Sequence, residues 1–172
     1  MSSRPLEREE HKLVWDHLVL LRDLWSQYEY LFMQGPERVA LLNGSARWFF
    51  YSVQKSYETE LVLGISRLTD PPGEGSRANL TIAVILDDPQ VEAAGDLRKD
   101  LESAIKEAKD AAEILRVHRN KRLAHLDRDV ASGKADSLPA LKLSAFGAAL
   151  GHLERAYHRY GLEIEGPTTS LS

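Results

Sequence analysis

The residues best suited to chemistry lie in one run: His118-Arg119-Asn120-Lys121-Arg122-Leu123-Ala124-His125-Leu126-Asp127. It crowds guanidinium, ammonium, imidazole and amide groups into a segment that also carries apolar anchors. Those groups suit cleavage of an RNA phosphodiester. If the ribose 2′-hydroxyl is the nucleophile, the reaction needs no metal. It needs a group that moves protons near neutrality, which a histidine supplies. It also needs a fixed cation with several donors on the phosphate, which an arginine supplies. Donors placed where charge grows on the phosphorane-like transition state lower the barrier. Asn120 can hydrogen-bond a phosphate oxygen or orient the arginine. Arg116, Lys121 and Arg122 can follow the flanking backbone, and Arg128 extends the same cationic window.

A plainer reading uses the same residues. Cations collect at helix C-termini because the helix dipole favours them, and His125 can cap a carbonyl or pair with Asp127. Spacing alone leaves both readings open. Arg119 and His125 have five residues between them. In an ideal α-helix that offset turns them about 240° apart. For both to face one site, the helix must loosen or end inside the run, or a second chain must complete the site.

Composition narrows the classes. The chain has 172 residues, of which 43% are hydrophobic and 28% charged. This fits one globular domain over 1–172, with an ordered core at about 4–163 and a flexible tail at 164–172. No apolar run has the length of a membrane span. The start, Met1-Ser2-Ser3-Arg4-Pro5 followed by Glu7, Glu9 and Glu10, reads as neither a signal nor a transit peptide. Cysteine is absent, which excludes disulfides, zinc–cysteine sites and thiol catalysis and suggests a cytoplasmic setting. With a net charge of −4, nucleic-acid contact through bulk charge is excluded, so any such contact must be local. The window from Arg116 to Arg128 fits, because Asp127 is its one acidic residue.

Helices must hold this run in place. The first is predicted from Pro5 to Met33, capped by Ser3, with Val14, Leu18, Leu21, Trp25, Tyr28 and Phe32 on its core face. Gln34-Gly35-Pro36 stops it. The second is predicted over 37–68, with Phe50, Val53, Tyr57, Leu61, Ile65 and Leu68 inward and Asn43-Gly44 weakening its start. A Pro- and Gly-rich loop follows over 70–78. Asn79–Leu86 then reads as a short lid helix with Asn79 as N-cap, because no second strand exists to pair with it.

The third long helix opens at Asp87-Asp88-Pro89. Its stripe of Ala94, Leu97, Leu101, Ala104, Ala108, Ala111 and Leu115 leads straight into the run at Arg119. Polar residues around Ser132-Gly133-Lys134 separate it from a fourth helix over 139–160, which Gly161 caps. The class is all-α, a four-helix bundle with a short extra helix after the second.

Other candidates are weaker. Glu58 and Glu60 point to different helix faces, so they make a poor carboxylate pair. Glu60 can face the third helix as an auxiliary group. Arg67 and Asp70 read first as a C-terminal cation and a turn residue, and second as groups beside a cleft. His11 with His17, and His152 with His158, are six apart, which is not a metal-ligand spacing on one helix face. No metal and no cofactor are expected. Trp15, Trp25 and Trp48 read as core or interface aromatics.

Arg119-Asn120-Lys121-Arg122-Leu123-Ala124-His125 resembles the defining motif of the HEPN superfamily, an arginine and a histidine with four to six residues between them. A polar residue follows the arginine in that motif, as Asn120 does. A second stretch, Leu63-Gly64-Ile65-Ser66-Arg67-Leu68-Thr69-Asp70-Pro71 followed by Asn79-Leu80-Thr81-Ile82, resembles the abortive-infection, AbiU-type branch. The resemblance implies a homodimer whose motif helices face each other and share one composite cleft. It also implies a metal-independent endoribonuclease of toxin or phage-defence systems, with an antitoxin or nucleotidyltransferase partner. Arg119 and His125 would then be catalytic and Asn120 would assist; Glu60 and Arg67 remain auxiliary candidates on their position alone. Other branches bind nucleotides or serve as helical adaptors, which leaves a non-catalytic module as the alternative.

Overall fold

The computed structural model describes residues 5–73, 79–123 and 141–164, and every regular element among them is helical. Helix α1 spans Pro5–Phe32 and buries Val14, Leu18, Leu21, Trp25 and Tyr28, with Phe32 half-buried. The side-chain amide of Gln34 closes its end by donating to the Glu29 carbonyl at 3.1 Å. Gly35 then reverses the chain at φ 96°, a conformation that favours glycine, and Pro36 opens α2. The predicted stop falls where it was read.

Helix α2 spans Pro36–Thr69 and is kinked at Ala46, whose φ −158° and ψ 70° are non-helical. The sequence explains the kink. Gly44 is a poor helix former, and the Ser45 hydroxyl donates back to the Leu41 carbonyl at 2.7 Å, a bond that bends helices. The predicted inward stripe is only partly right. Leu61, Ile65 and Leu68 are buried, but Phe50, Val53 and Tyr57 are half-buried. Before Leu61, only Leu42 of α2 is buried. Asp70 ends the helix in an extended conformation ahead of Pro71, as the residue before a proline prefers.

Ile82–Asp87 forms a 3₁₀ helix over the core, with Ile82 and Ile85 fully buried. The N-cap is Thr81, whose hydroxyl accepts from the Ala83 amide, and not Asn79. Asn79 instead closes the preceding loop through the Pro71 and Pro72 carbonyls.

The predicted third helix is divided. Helix α3 spans Pro89–Ala93, α4 Gly95–Ala111 and α5 Glu113–His118, with breaks at Ala94 and Ala112. Asp88 caps α3, as an N-cap before proline should. Gly95 weakens the join with α4. Arg98 then ties α4 to the 3₁₀ segment by donating to the Leu86 carbonyl at 3.1 Å. The final helix, α6, spans Leu143–Ile164 and runs through Gly161, which is buried inside it and does not cap it. Pro139, its predicted start, lies outside the described residues, as do Ser3 and the tail from 165.

Two close approaches organise the packing. Helix α4 lies along α6 and α1 along α2. Ala104 and Ala108 face the α6 side of the core, where small residues let helices near each other. Between α1 and α2, a Cβ on Gly64 would overlap a methyl of fully buried Leu21 and lie 3.2 Å from His17 Nε2. A polar clamp closes the far end. His11 Nε2 donates to the Val84 carbonyl, Tyr157 donates to the His11 carbonyl, and Tyr160 reaches both His11 Nδ1 and Asp88. No described helix is long and apolar enough to cross a membrane.

Candidate functional site

The site forms where α5 meets the end of α2. Leu115 and His118 are buried and pin α5 to the core. Beyond His118 the backbone loosens into a π-helical turn over Arg119–Leu123. Such turns are rare and favour functional positions. Over Arg119–Leu123 the backbone is therefore not an ideal α-helix.

Arg119 sits in the first position of that turn and is held from two sides. Its Nη1 donates to Asp70 Oδ2 in an ion pair, and its Nε donates to Asn120 Oδ1 at 3.0 Å. The Arg119 and Asp70 side chains are 22% and 20% exposed, so the pair is screened less than a surface pair would be. Nη2 has no acceptor among the described residues and remains able to meet a phosphate oxygen. Of the two roles open to Asn120, orienting the arginine is the one present here.

Arg116 does a different job. Its guanidinium donates to the Thr69 carbonyl and hydroxyl, to the Lys109 carbonyl at 2.8 Å and to Glu113 Oε2 at 2.6 Å. It joins the ends of α2 and α4 to α5, so its donors are engaged within the chain and not held out toward a flanking backbone. Through Thr69 and Asp70, two successive residues at the end of α2 thus receive two arginines one helical turn apart.

Lys121 is exposed on the π turn, and Arg122 lies in the same turn. His125 and Arg128 lie outside the described residues. Glu60 and Arg67 do not touch Arg119. They flank His17 across the α1–α2 contact instead. Burial pushes the His17 pKa below 6.5, Arg67 adds to that, and Glu60 and the Gly64 backbone oppose it. The His17 Nε2 and Ser66 Oγ atoms are buried without hydrogen-bond partners.

The residue that sequence reading underweighted is Asp70. It reads first as a turn former before proline and second as a group beside a cleft; what the structure adds is its ion pair with Arg119. The signal was its place in the Leu63–Pro71 stretch that carried the narrower resemblance. Among the described residues, no three His, Asp or Glu side chains converge as metal ligands would.

The chain was compared with known proteins and families. No curated protein and no solved structure matches it. The family model for AbiU2, a HEPN domain, matches residues 7–172. With the paired arginine and asparagine at a loosened helix end and the matching stretch before Pro71, the chain belongs to the AbiU2 family of HEPN domains.

Proposed function

We propose that this chain is a metal-independent endoribonuclease of a toxin or abortive-infection system. Its long helices form a HEPN-like four-helix bundle, and two copies pair so that their Arg119–His125 segments line one cleft. Arg119 holds the scissile phosphate through Nη2, with Asn120 and Asp70 fixing the guanidinium plane. The ribose 2′-oxygen attacks phosphorus and the bond to the 5′-oxygen breaks. The products are a 2′,3′-cyclic phosphate and a 5′-hydroxyl. The 2′-hydroxyl proton leaves to a base and another proton reaches the 5′-oxygen, and His125 is the residue able to carry them. Lys121 and Arg122 meet the flanking phosphates.

The observation that carries this reading is the pre-set arginine. Its side chain is anchored at two points, is mostly buried, and still offers donors outward. Preorganised donors of this kind act on developing charge without reorganising at the moment of reaction.

One observation favours a second reading, a non-catalytic module that binds a nucleotide or a protein. Asp70 already neutralises Arg119, so an incoming phosphate meets a compensated cation. The test is purified protein with mixed RNA in excess EDTA. Wild type cleaves and leaves cyclic-phosphate ends, whereas Arg119→Ala and His125→Ala lose about 10²-fold or more in rate. Equal cleavage by all three proteins, or cleavage only on addition of metal, overturns the proposal. Saturable binding of a nucleotide with no RNA turnover favours the second reading.

A further inference from the structure

The first half of α2 has a surface that its core role does not explain. Trp48 is 76% exposed and Tyr51 52%, and Tyr30 of neighbouring α1 is 62% exposed. Each ring has a cation against it. The Arg38 guanidinium lies 5.0 Å from the Tyr30 ring centre, Arg47 5.9 Å from Trp48, and the Lys55 ammonium 6.0 Å from Tyr51. Trp48 and Tyr51 meet edge to face at 6.1 Å. The kink at Ala46 precedes Arg47 directly and sets the direction of this face.

Charge says what such a face would take. Between Glu37 and Glu58 the sequence has three cations and no acid, within a chain whose net charge is −4. Lys55 is ion-paired with Glu58, but Arg38 and Arg47 have no acidic partner among the described residues. Leu41 and Phe49 add exposed apolar area to this half of the helix, but Tyr30, Trp48 and Tyr51 each carry a cation, which a face meant only for another protein's core would not need. Aromatic faces beside two cations without acidic partners, Arg38 and Arg47, match a polyanion that carries flat bases. Bases stack on the rings while arginines meet phosphates or stack in turn. On α1, a shallow concavity is lined by Ser26, Gln27, Tyr30 and Leu31.

We infer that this face is a binding surface for single-stranded RNA, separate from the Arg119 site. Trp48 lies roughly 30 Å along α2 from Asp70, so the two surfaces hold different parts of a strand or different strands. The surface holds RNA by stacking and charge and tolerates many sequences. The inference extends the proposed function but does not depend on turnover, because binding here involves neither Arg119 nor His125.

The test uses the full chain and a labelled single-stranded 2′-O-methyl RNA of about 20 nucleotides, which lacks the 2′-hydroxyl and cannot be cleaved by its attack. Fluorescence anisotropy gives Kd across a salt series. The double variant Trp48→Ala/Tyr51→Ala should raise Kd about tenfold or more. Arg47→Ala should flatten the slope of log K against log salt by about 0.7, the loss of one phosphate contact on a single strand. With cleavable RNA, both variants should raise KM and leave kcat in place. The substituted side chains are exposed, and an unchanged melting transition shows that the fold persists. Unchanged Kd and salt slope in both variants overturn the inference. So does loss of all binding in Lys121→Ala alone, which places the strand at the motif. A fall in solution mass on Trp48→Ala/Tyr51→Ala with unchanged RNA affinity also overturns it, and assigns the face to a second copy. Binding without cleavage leaves this surface standing and removes only the catalytic reading.

Discussion

The two ends of α2 are built to opposite rules. From Leu61 to Thr69 the helix is almost wholly buried, and it ends on Thr69 and Asp70, which receive two arginines. From Pro36 to Tyr51 it buries only Leu42 and exposes Trp48, Phe49 and Tyr51. Between them lies a polar zone where Gln54 and Glu58 bond the Tyr28 hydroxyl and Tyr57 bonds Gln27. One element thus serves as core and site support at its C-terminal end and as free surface at its N-terminal end. The lesson is that helical period says which residues share a face, while only the neighbours decide whether the face is covered.

The contrast predicts its largest effect in stability. Leu61→Ala should destabilise the fold by about 2–5 kcal/mol, because it removes a fully buried side chain from a packed core. Trp48→Ala, the larger truncation, should change stability by no more than about 0.5 kcal/mol. Urea unfolding of both variants measures the difference. Similar losses in the two would mean that the N-terminal half is covered in solution. Gly64→Ala sharpens the same comparison at the buried end. Alanine is the better helix former by about 1 kcal/mol, but its methyl has no room beside Leu21 and His17. Overpacking of a core costs about 1–3 kcal/mol, so a net loss should appear. Gly44→Ala, where nothing lies within reach of the new methyl, should give none.

Asp70→Asn tests the site end of the helix. The amide keeps the shape and removes the charge that neutralises Arg119. Phosphate affinity should rise because a competing carboxylate is gone, while kcat should fall by about tenfold as the guanidinium loses its anchor. Measuring kcat and KM for RNA cleavage separates the two effects. A variant with unchanged kcat would show that Asn120 alone sets the arginine.

Much of this contrast was legible in advance, and the missing part has a physical source. The stripe of α1 and the stop at Gly35-Pro36 follow from local rules of period and backbone conformation, and they hold. The break at Ala94 was hidden because alanine is the strongest helix former and the stripe passes through it. Gly161 looked like a cap, yet Tyr160 and its partners His11 and Asp88 keep the helix going in the core. Phe50, Val53 and Tyr57 of α2 read as core and are only half-buried, because apolar residues at helical spacing are the same whether or not a neighbour arrives. The Arg119 site was legible as a set of residue types. Its anchor on Asp70 joins residues 49 apart in sequence, and no local rule reaches that far.

The smallest predicted effect comes from His17, on the face that α2 shares with α1. Burial and the Arg67 charge hold its pKa below 6.5, against the pull of Glu60. The folded state therefore binds fewer protons at this site than the unfolded state does. By linkage, its contribution to stability is full above pH 6.5 and is lost as pH falls below that value toward the lowered folded pKa. His17→Gln removes the titration and keeps a polar side chain of similar reach. The variant's unfolding midpoint in urea should fall less steeply than that of wild type between pH 7.5 and 5.5, a window spanning the ordinary histidine value of about 6.5. Glu60→Gln should steepen the wild-type loss, because it removes the one charge that favours the imidazolium. Arg67→Ala should flatten it. If all four proteins lost stability in parallel, the acid sensitivity would belong to other groups.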